Sequence, residues 1–170
     1  MVKRTNLAHS GCPIARSLDA IGDWWSLLII RDALLGRRRF GEFQKSLGLA
    51  KNILTVRLRA LVERGILELA PASDGSAYQE YALTPKGRGI FPILVALRQW
   101  TEEFDETPEE IATILVDRES GRPVKKFELH SRDGRLLGVG DVTLKARPAA
   151  KRARHATART HRVLRRPIQV

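Results

Sequence analysis

Residues 40–64, FGEFQKSLGLAKNILTVRLRALVER, carry the side chains with the most definite chemistry. If residues 51–64 form a helix, Leu54, Leu58, Leu61 and Val62 fall on one face. Lys51, Asn52, Thr55, Val56 and Arg59 then fall on the other. Asn52 can pair with adenine N6 and N7, Thr55 can bond either kind of base, and Val56 can touch a thymine methyl. Lys51 and Arg59 suit phosphate oxygens, where they add affinity without sequence information. Arg57, on the flank, suits either role. A helix with short polar groups first and arginines later fits a DNA major groove. The bland alternative is an ordinary solvated helix face, and the neighbouring elements decide between the two.

Other side chains with usable chemistry are few. Arg37, Arg38 and Arg39 follow an apolar helix, where they complement its C-terminal dipole or sit against a nucleic-acid backbone; Arg38 is the candidate contact among them. Cys12 is the single cysteine. It excludes an intrachain disulfide and a multi-cysteine zinc site. It precedes a helix start, where the dipole and Arg16 one turn on favour thiolate. An exposed thiolate is what a redox sensor needs; the other reading is a small residue lining an interface. His9, His130, His155 and His161 lack metal-ligand spacing, so no metal is expected. Gly138-Val139-Gly140-Asp141 has no helix after it and is not a dinucleotide loop. No nucleophile–base pair or phosphate loop is present, so no enzyme and no cofactor are expected.

These residues need elements to position them. Cys12-Pro13 starts a helix carrying Ile14, Leu18 and Ile21, which Gly22 breaks. Asp23 is a good N-cap for a second helix, Trp24 to about Leu35. That helix is apolar nearly all round and so is expected at the centre of the core. Trp24, Trp25 and Trp100 read as core and interface residues that can also line an inter-helix pocket. Gly36 ends the second helix. Phe40, Phe43 and Leu47 mark a third, and Gly48 supplies the turn. The fourth closes at Gly65. Ile66–Leu69 and Tyr78–Leu83 alternate as strands around the turn-forming stretch PASDGSA. Thr84-Pro85 then starts a fifth helix running through Ile90, Leu94, Leu97 and Trp100 to about Phe104. This order is that of a winged helix-turn-helix, a mainly α fold with a small β-hairpin (α+β).

A composition shift follows Pro108. Ile114–Val116, Val124–Leu129 and Leu136–Leu144 read as short strands of a small meander, with turns at Glu119-Ser120-Gly121 and Asp133-Gly134. The expected organisation is residues 1–108 for DNA binding and dimerisation, 109–145 as a small β-rich C-terminal extension, and 146–170 as a basic disordered tail.

Net charge is +11, which favours nucleic acid as partner. Its distribution tempers that inference. No acidic residue follows Asp141, and eight Lys or Arg lie between Arg147 and Arg166. Without those eight the rest of the chain carries only +3, so the total does not by itself show that the folded part binds DNA. The longest apolar run, Trp24 to Ile30, is far short of the roughly 20 residues a membrane span requires. The N-terminus lacks an apolar stretch of signal-peptide type. No membrane partner is expected, and the location expected is cytoplasmic.

Several segments together resemble the HxlR-type regulators, bacterial winged-helix transcription factors related to the MarR group. They are Gly22-Asp23-Trp24-Trp25, Arg39-Phe40 with Phe43, Ile53-Leu54-Thr55 with Arg57-Leu58, Gly65-Ile66-Leu67, Tyr81-Ala82-Leu83-Thr84-Pro85-Lys86-Gly87 and Trp100. The resemblance covers residues 12 to about 104. It implies a homodimer built from the first and last helices, with each recognition helix in the major groove of one operator half-site. It also implies, through the position of Cys12, sensing of electrophiles or oxidants. Two residues depart from the pattern. The wing, Ala72 to Tyr81, has no Lys or Arg and carries Asp74, leaving Ser73 and Ser76 as its phosphate-bonding candidates. Ala50 stands where a capping Ser is usual, and a missing N-cap costs about 1 kcal/mol.

The expected function is thus a sequence-specific DNA-binding transcriptional regulator, a repressor acting as a homodimer on an inverted-repeat operator. A small-molecule or oxidant effector is its expected modulator. The alternative is a non-specific, nucleoid-type binder driven by the basic tail.

Overall fold

The computed structural model describes residues 6–104 and 112–146. The tail from Arg147 onward, and with it the expectation of disorder there, lies outside the described residues.

Helix α1, Pro13–Ile21, starts as expected with proline at its first position. Helix α2 spans Trp24–Leu34. Its N-terminus is fixed by Asp23, whose carboxylate accepts the Ser26 amide N–H (3.0 Å) and the Ser26 hydroxyl (2.5 Å). Helices α3, Phe40–Leu47, and α4, Lys51–Glu63, flank Gly48. Gly48 sits at φ 63°, a left-handed conformation that glycine adopts without Cβ strain. Strands β1, Leu67–Pro71, and β2, Gln79–Leu83, pair antiparallel with Leu67 opposite Leu83 and Pro71 opposite Gln79. This is the winged helix-turn-helix that the element order predicts.

The core is one cluster. Ile29 and Ile30 of α2, Phe43 of α3 and Leu54, Leu58 and Leu61 of α4 are all fully buried, and Ile66, Leu67, Leu83 and Ile90 close it. Helix α2 is central, packing against α1, α3, α4, β2 and α6. It is not buried all round, however. Trp24 is 74% exposed and Trp100 55%, so only Trp25 packs on the core.

The single helix expected from Thr84 to Phe104 is two. A short α5, Pro85–Arg88, precedes α6, Phe91–Phe104. Apolar spacing runs across the break, but Pro92 has no N–H and its ring would meet the Arg88 carbonyl in a continuous helix. Restarting at Phe91 puts Pro92 in a first turn, where it is tolerated. Thr84 anchors the junction by accepting the Gly87 amide (3.1 Å) and donating to the Gly65 carbonyl (2.6 Å). Gly87 is required by contact, since a Cβ there would lie 2.2 Å from the Ile66 carbonyl oxygen.

The strands expected between 114 and 144 do not form as strands. Two isolated bridges, Val116 with Pro123 and His130 with Leu136, stand in their place. The turns occur where glycine predicts them, at Gly121 (φ 66°) and Gly134 (φ 86°). No residue between 112 and 146 is buried, so apolar alternation there has no neighbouring sheet or core to fix it. Contacts divide the chain after Phe127. Residues 112–127 belong with the helices: Gln99 of α6 donates to the Lys125 carbonyl (3.0 Å) and accepts the Phe127 amide (2.7 Å). From Glu128 a second unit turns on Ser131–Arg135 and is tied by Arg135 to Asp141 (3.0 Å).

Ala50 caps α4 with no side-chain hydrogen bond. Ala50→Ser should therefore stabilise the protein by about 1 kcal/mol and raise Tm by several degrees. Thermal melts of the two proteins check this, and an unchanged Tm contradicts it.

Candidate nucleic-acid interface

The geometry of α4 follows from its leucines. With Leu54, Leu58 and Leu61 fully buried, the opposite face is fixed toward solvent. Lys51, Asn52, Val56 and Arg59 are exposed on it, and Thr55 is half-buried beside them. Val56 is 59% exposed, so its methyl groups are open to contact from outside. Asn52 accepts the Ile53 amide (2.9 Å) through Oδ1, standing in for the cap that Ala50 cannot supply. Thr55 donates to the Lys51 carbonyl (2.8 Å). Lys51 and Arg59 have no ion-pair partner among the described residues. Their charge faces water and is available to phosphate.

Arg57 stands apart from this face. Its guanidinium lies 3.4 Å from Asp23, so Asp23 both caps α2 and holds α4. Arg38, Ser73 and Ser76 form a separate group at the wing. Arg38 lies 3.7 Å from the buried Glu80 carboxylate, to which Ser73 also donates (3.2 Å). Arg39 bridges Glu80 (3.3 Å) and Asp74. The Ser76 amide donates to Asp74 (3.1 Å) at the hairpin tip. The wing acids thus clasp the arginines before α3. The Tyr81 amide reinforces this by donating to the Arg38 carbonyl (2.8 Å). Arg37 turns the other way, to the buried Asp32 (3.4 Å), which Arg31 also holds (2.8 Å). These ion pairs join residues far apart in sequence. The one visible signal was an acid in a wing that lacks basic residues.

The hydrogen bond from Arg39, then those from Ser76, hold the Asp74 carboxyl well below the usual carboxylate range and raise Arg39 above its own. Glu42 is also lowered, chiefly by the backbone amides of Arg38 and Arg39 donating to it. Groups depressed on folding contribute stability above their unfolded pKa and lose it as pH falls. Asp74→Asn should therefore melt below wild type at neutral pH, and the gap should close as pH drops below about 4, the unfolded Asp value. A gap independent of pH would show that Asp74 acts through something other than its charge.

Cys12 is exposed at the N-cap of α1. Its amide donates to Ser10 Oγ (3.1 Å), and Arg16 donates to the Ser10 carbonyl (2.9 Å). Arg16 is therefore committed to the backbone before the helix. No helix among the described residues is long and apolar enough to cross a membrane.

The family model for the HxlR-like helix-turn-helix matches residues 20–109. The helix-turn-helix-type transcriptional regulator MT3179 of Mycobacterium tuberculosis (strain CDC 1551 / Oshkosh) is 40% identical over 107 residues, covering 62% of this chain and 68% of its own. The crystal structure of PA1607, described as a candidate transcription factor, superposes with a TM-score of 0.78 at 53% identity. It covers 83% of this chain and 99% of its own, so the match extends beyond Phe104. The redox regulator HypR in its oxidised form matches with a TM-score of 0.50 and 30% identity, over 56% of this chain and all of its own. The chain belongs to the HxlR-like helix-turn-helix family of transcriptional regulators.

Proposed function

We propose that the protein is a homodimeric repressor that reads an inverted-repeat operator with α4. One observation carries this reading: α4 is pinned by fully buried leucines and turns Lys51, Asn52, Val56 and Arg59 outward, directly after the Gly48 turn. Asn52, Thr55 and Val56 are the base-reading residues, and Lys51 and Arg59 the phosphate contacts. Arg57, Arg38, Ser73 and Ser76 make backbone contacts at the flanks, where phosphate can replace Asp23, Glu80 or, for Ser76, Asp74 as partner. The protein does no chemistry of its own. Its output is operator occupancy in the cytoplasm, and blocking a promoter needs nothing more.

Dimerisation is supported by an apolar stripe on α6 that the other described residues leave half exposed. Ile93, Leu97, Trp100 and Phe104 recur at spacings of four, three and four, and each is 46–65% exposed. That spacing is the seam of a helix pair. Ile14 and Leu18 of α1 expose a matching apolar surface, at 70% and 53%. A two-fold arrangement covers the first and last helices of both copies at once. Cys12, exposed at the start of α1, adjoins the face that dimerises, so oxidation or alkylation of its thiol bears on the pairing of the two copies. The similarity to HypR supports a redox input of this kind.

Selection of bound sites from a random DNA pool tests the reading. Two half-sites about 10 base pairs apart, in inverted orientation, are the expected product. The preferred site should outcompete random DNA by roughly a thousandfold or more. Recovery of no motif would instead mark a non-specific binder driven by the basic C-terminal segment.

A further inference from the structure

Past the helix-turn-helix domain, which ends at residue 109, residues 112–127 form a strap on α6. Arg98 holds one end of it by donating to Thr113 Oγ1 (3.2 Å). Gln99 holds the other end through the Lys125 carbonyl and the Phe127 amide, and Glu103 pairs with Lys126 (2.6 Å). Phe127 and Trp100 line one small hollow. The strap thus brings the chain to the apolar stripe of α6. The next residue, Glu128, begins the second unit.

That unit has a defined backbone and no core. The Leu137 amide donates to the Leu129 carbonyl (2.8 Å), the Ser131 amide donates to the Arg135 carbonyl (2.9 Å), and Arg135 holds Asp141. Yet none of residues 128–146 is buried. Leu129, Leu136 and Val142 are 51–56% exposed, and Val139 and Leu144 are almost wholly so. A single hairpin is marginal in water and needs a helix or further strands against its apolar side. The described residues of its own chain do not supply that cover. DNA is a poor match for it. Residues 128–146 carry three basic side chains, Arg132, Arg135 and Lys145, and three acidic ones, Glu128, Asp133 and Asp141, so their net charge is zero with His130 neutral. An apolar surface without net charge suits another apolar protein surface.

We propose that residues 128–144 are an arm that docks on a second copy of the chain. The proposal rests on the reading of the protein as a homodimer and adds to that dimer a surface outside its helices. The arm departs beside Trp100, on the stripe that the second copy covers, so it starts at the edge of the partner. The helices alone are a small interface. Helices α1 and α6 hold 9 and 14 residues, and one face of each can meet a partner. A standard interface enlists roughly 20–30 residues a side. Two arms exchanged across the two-fold axis make up the difference, each covered by the other copy. The arm then sets how dilute the protein can be and still hold two α4 helices together.

Sedimentation velocity of the full-length protein over a dilution series tests this, with Val139→Asp/Leu144→Asp as the variant. Both side chains face solvent within one chain, so the substitutions leave the single chain folded, and circular dichroism checks that. The dimer dissociation constant should rise at least about tenfold. A second measurement locates the arm. Full-length protein with Cys12→Ser and Val139→Cys carries benzophenone maleimide on its one thiol. Ultraviolet light should give a covalent dimer, with the linked peptide mapped by mass spectrometry to the other copy. An unchanged dissociation constant in the folded variant overturns the proposal and leaves the homodimer reading standing. So does a photoproduct confined to one chain. Wild-type protein that sediments as a monomer at every concentration sinks the homodimer reading instead, and the proposal with it.

Discussion

Asn52→Ala should flatten base preference at one position of each operator half-site, by about 1–3 kcal/mol of discrimination, while leaving affinity for random DNA nearly unchanged. Lys51→Ala should do the reverse. It should weaken every sequence alike and reduce the slope of log affinity against log salt by about one. The difference follows from where the two side chains stand. Both are exposed at the start of α4, but Asn52 offers the paired donor and acceptor that match adenine, and Lys51 a mobile point charge. Asn52 also accepts the Ile53 amide. Its loss therefore removes the only side-chain substitute for a cap at this end of α4, so operator affinity must be read at a temperature where both proteins are folded. Quantitative mobility shifts on a matched set of single-base operator variants separate the two effects. A uniform loss from Asn52→Ala, or a position-specific loss from Lys51→Ala, would exchange their roles.

Phe43→Ala should be the most damaging single truncation outside the DNA-facing surface. Phe43 is fully buried in α3, and its ring meets that of Tyr81 edge-on at a centroid distance of 6.3 Å. It therefore joins the helix-turn-helix to the second wing strand. Truncation of a buried phenylalanine costs about 3–5 kcal/mol through lost transfer energy and the cavity left behind. For a domain of this size that lowers Tm by roughly 10 °C or more. Differential scanning calorimetry checks the magnitude. A Tm within about 3 °C of wild type would mean that Phe43 is not the link between α3 and the wing.

The elements that punctuate the fold were legible because their signals are local. Asp23 caps the next turn, Gly48 occupies a left-handed turn, and the leucines of α4 recur at helical spacing. The face that α4 offers to DNA was readable for the same reason. What sequence did not show depends on partners distant in the chain. Arg57 was a flank residue with two open roles until the fold brought Asp23 to it. The missing wing arginine looked like a simple loss, yet the fold uses Asp74 and Glu80 to gather Arg38 and Arg39 against the hairpin. The break at Pro92 was hidden because apolar spacing continues across it, and backbone sterics overrode the periodicity. Between 114 and 144 alternation suggested strands, but a strand needs a continuous neighbour and a covered face, and within the described chain these residues have only two isolated bridges and no buried position.

Hydroxyl-radical footprinting of the protein with and without its selected operator tests the central claim most directly. Lys51, Val56 and Arg59 should be labelled in the free protein and protected when the operator is bound, while Leu54 and Leu58 stay unlabelled in both states. Equal labelling of Lys51, Val56 and Arg59 with and without bound operator, with protection arising on some other surface, would show that α4 is not what reads the DNA.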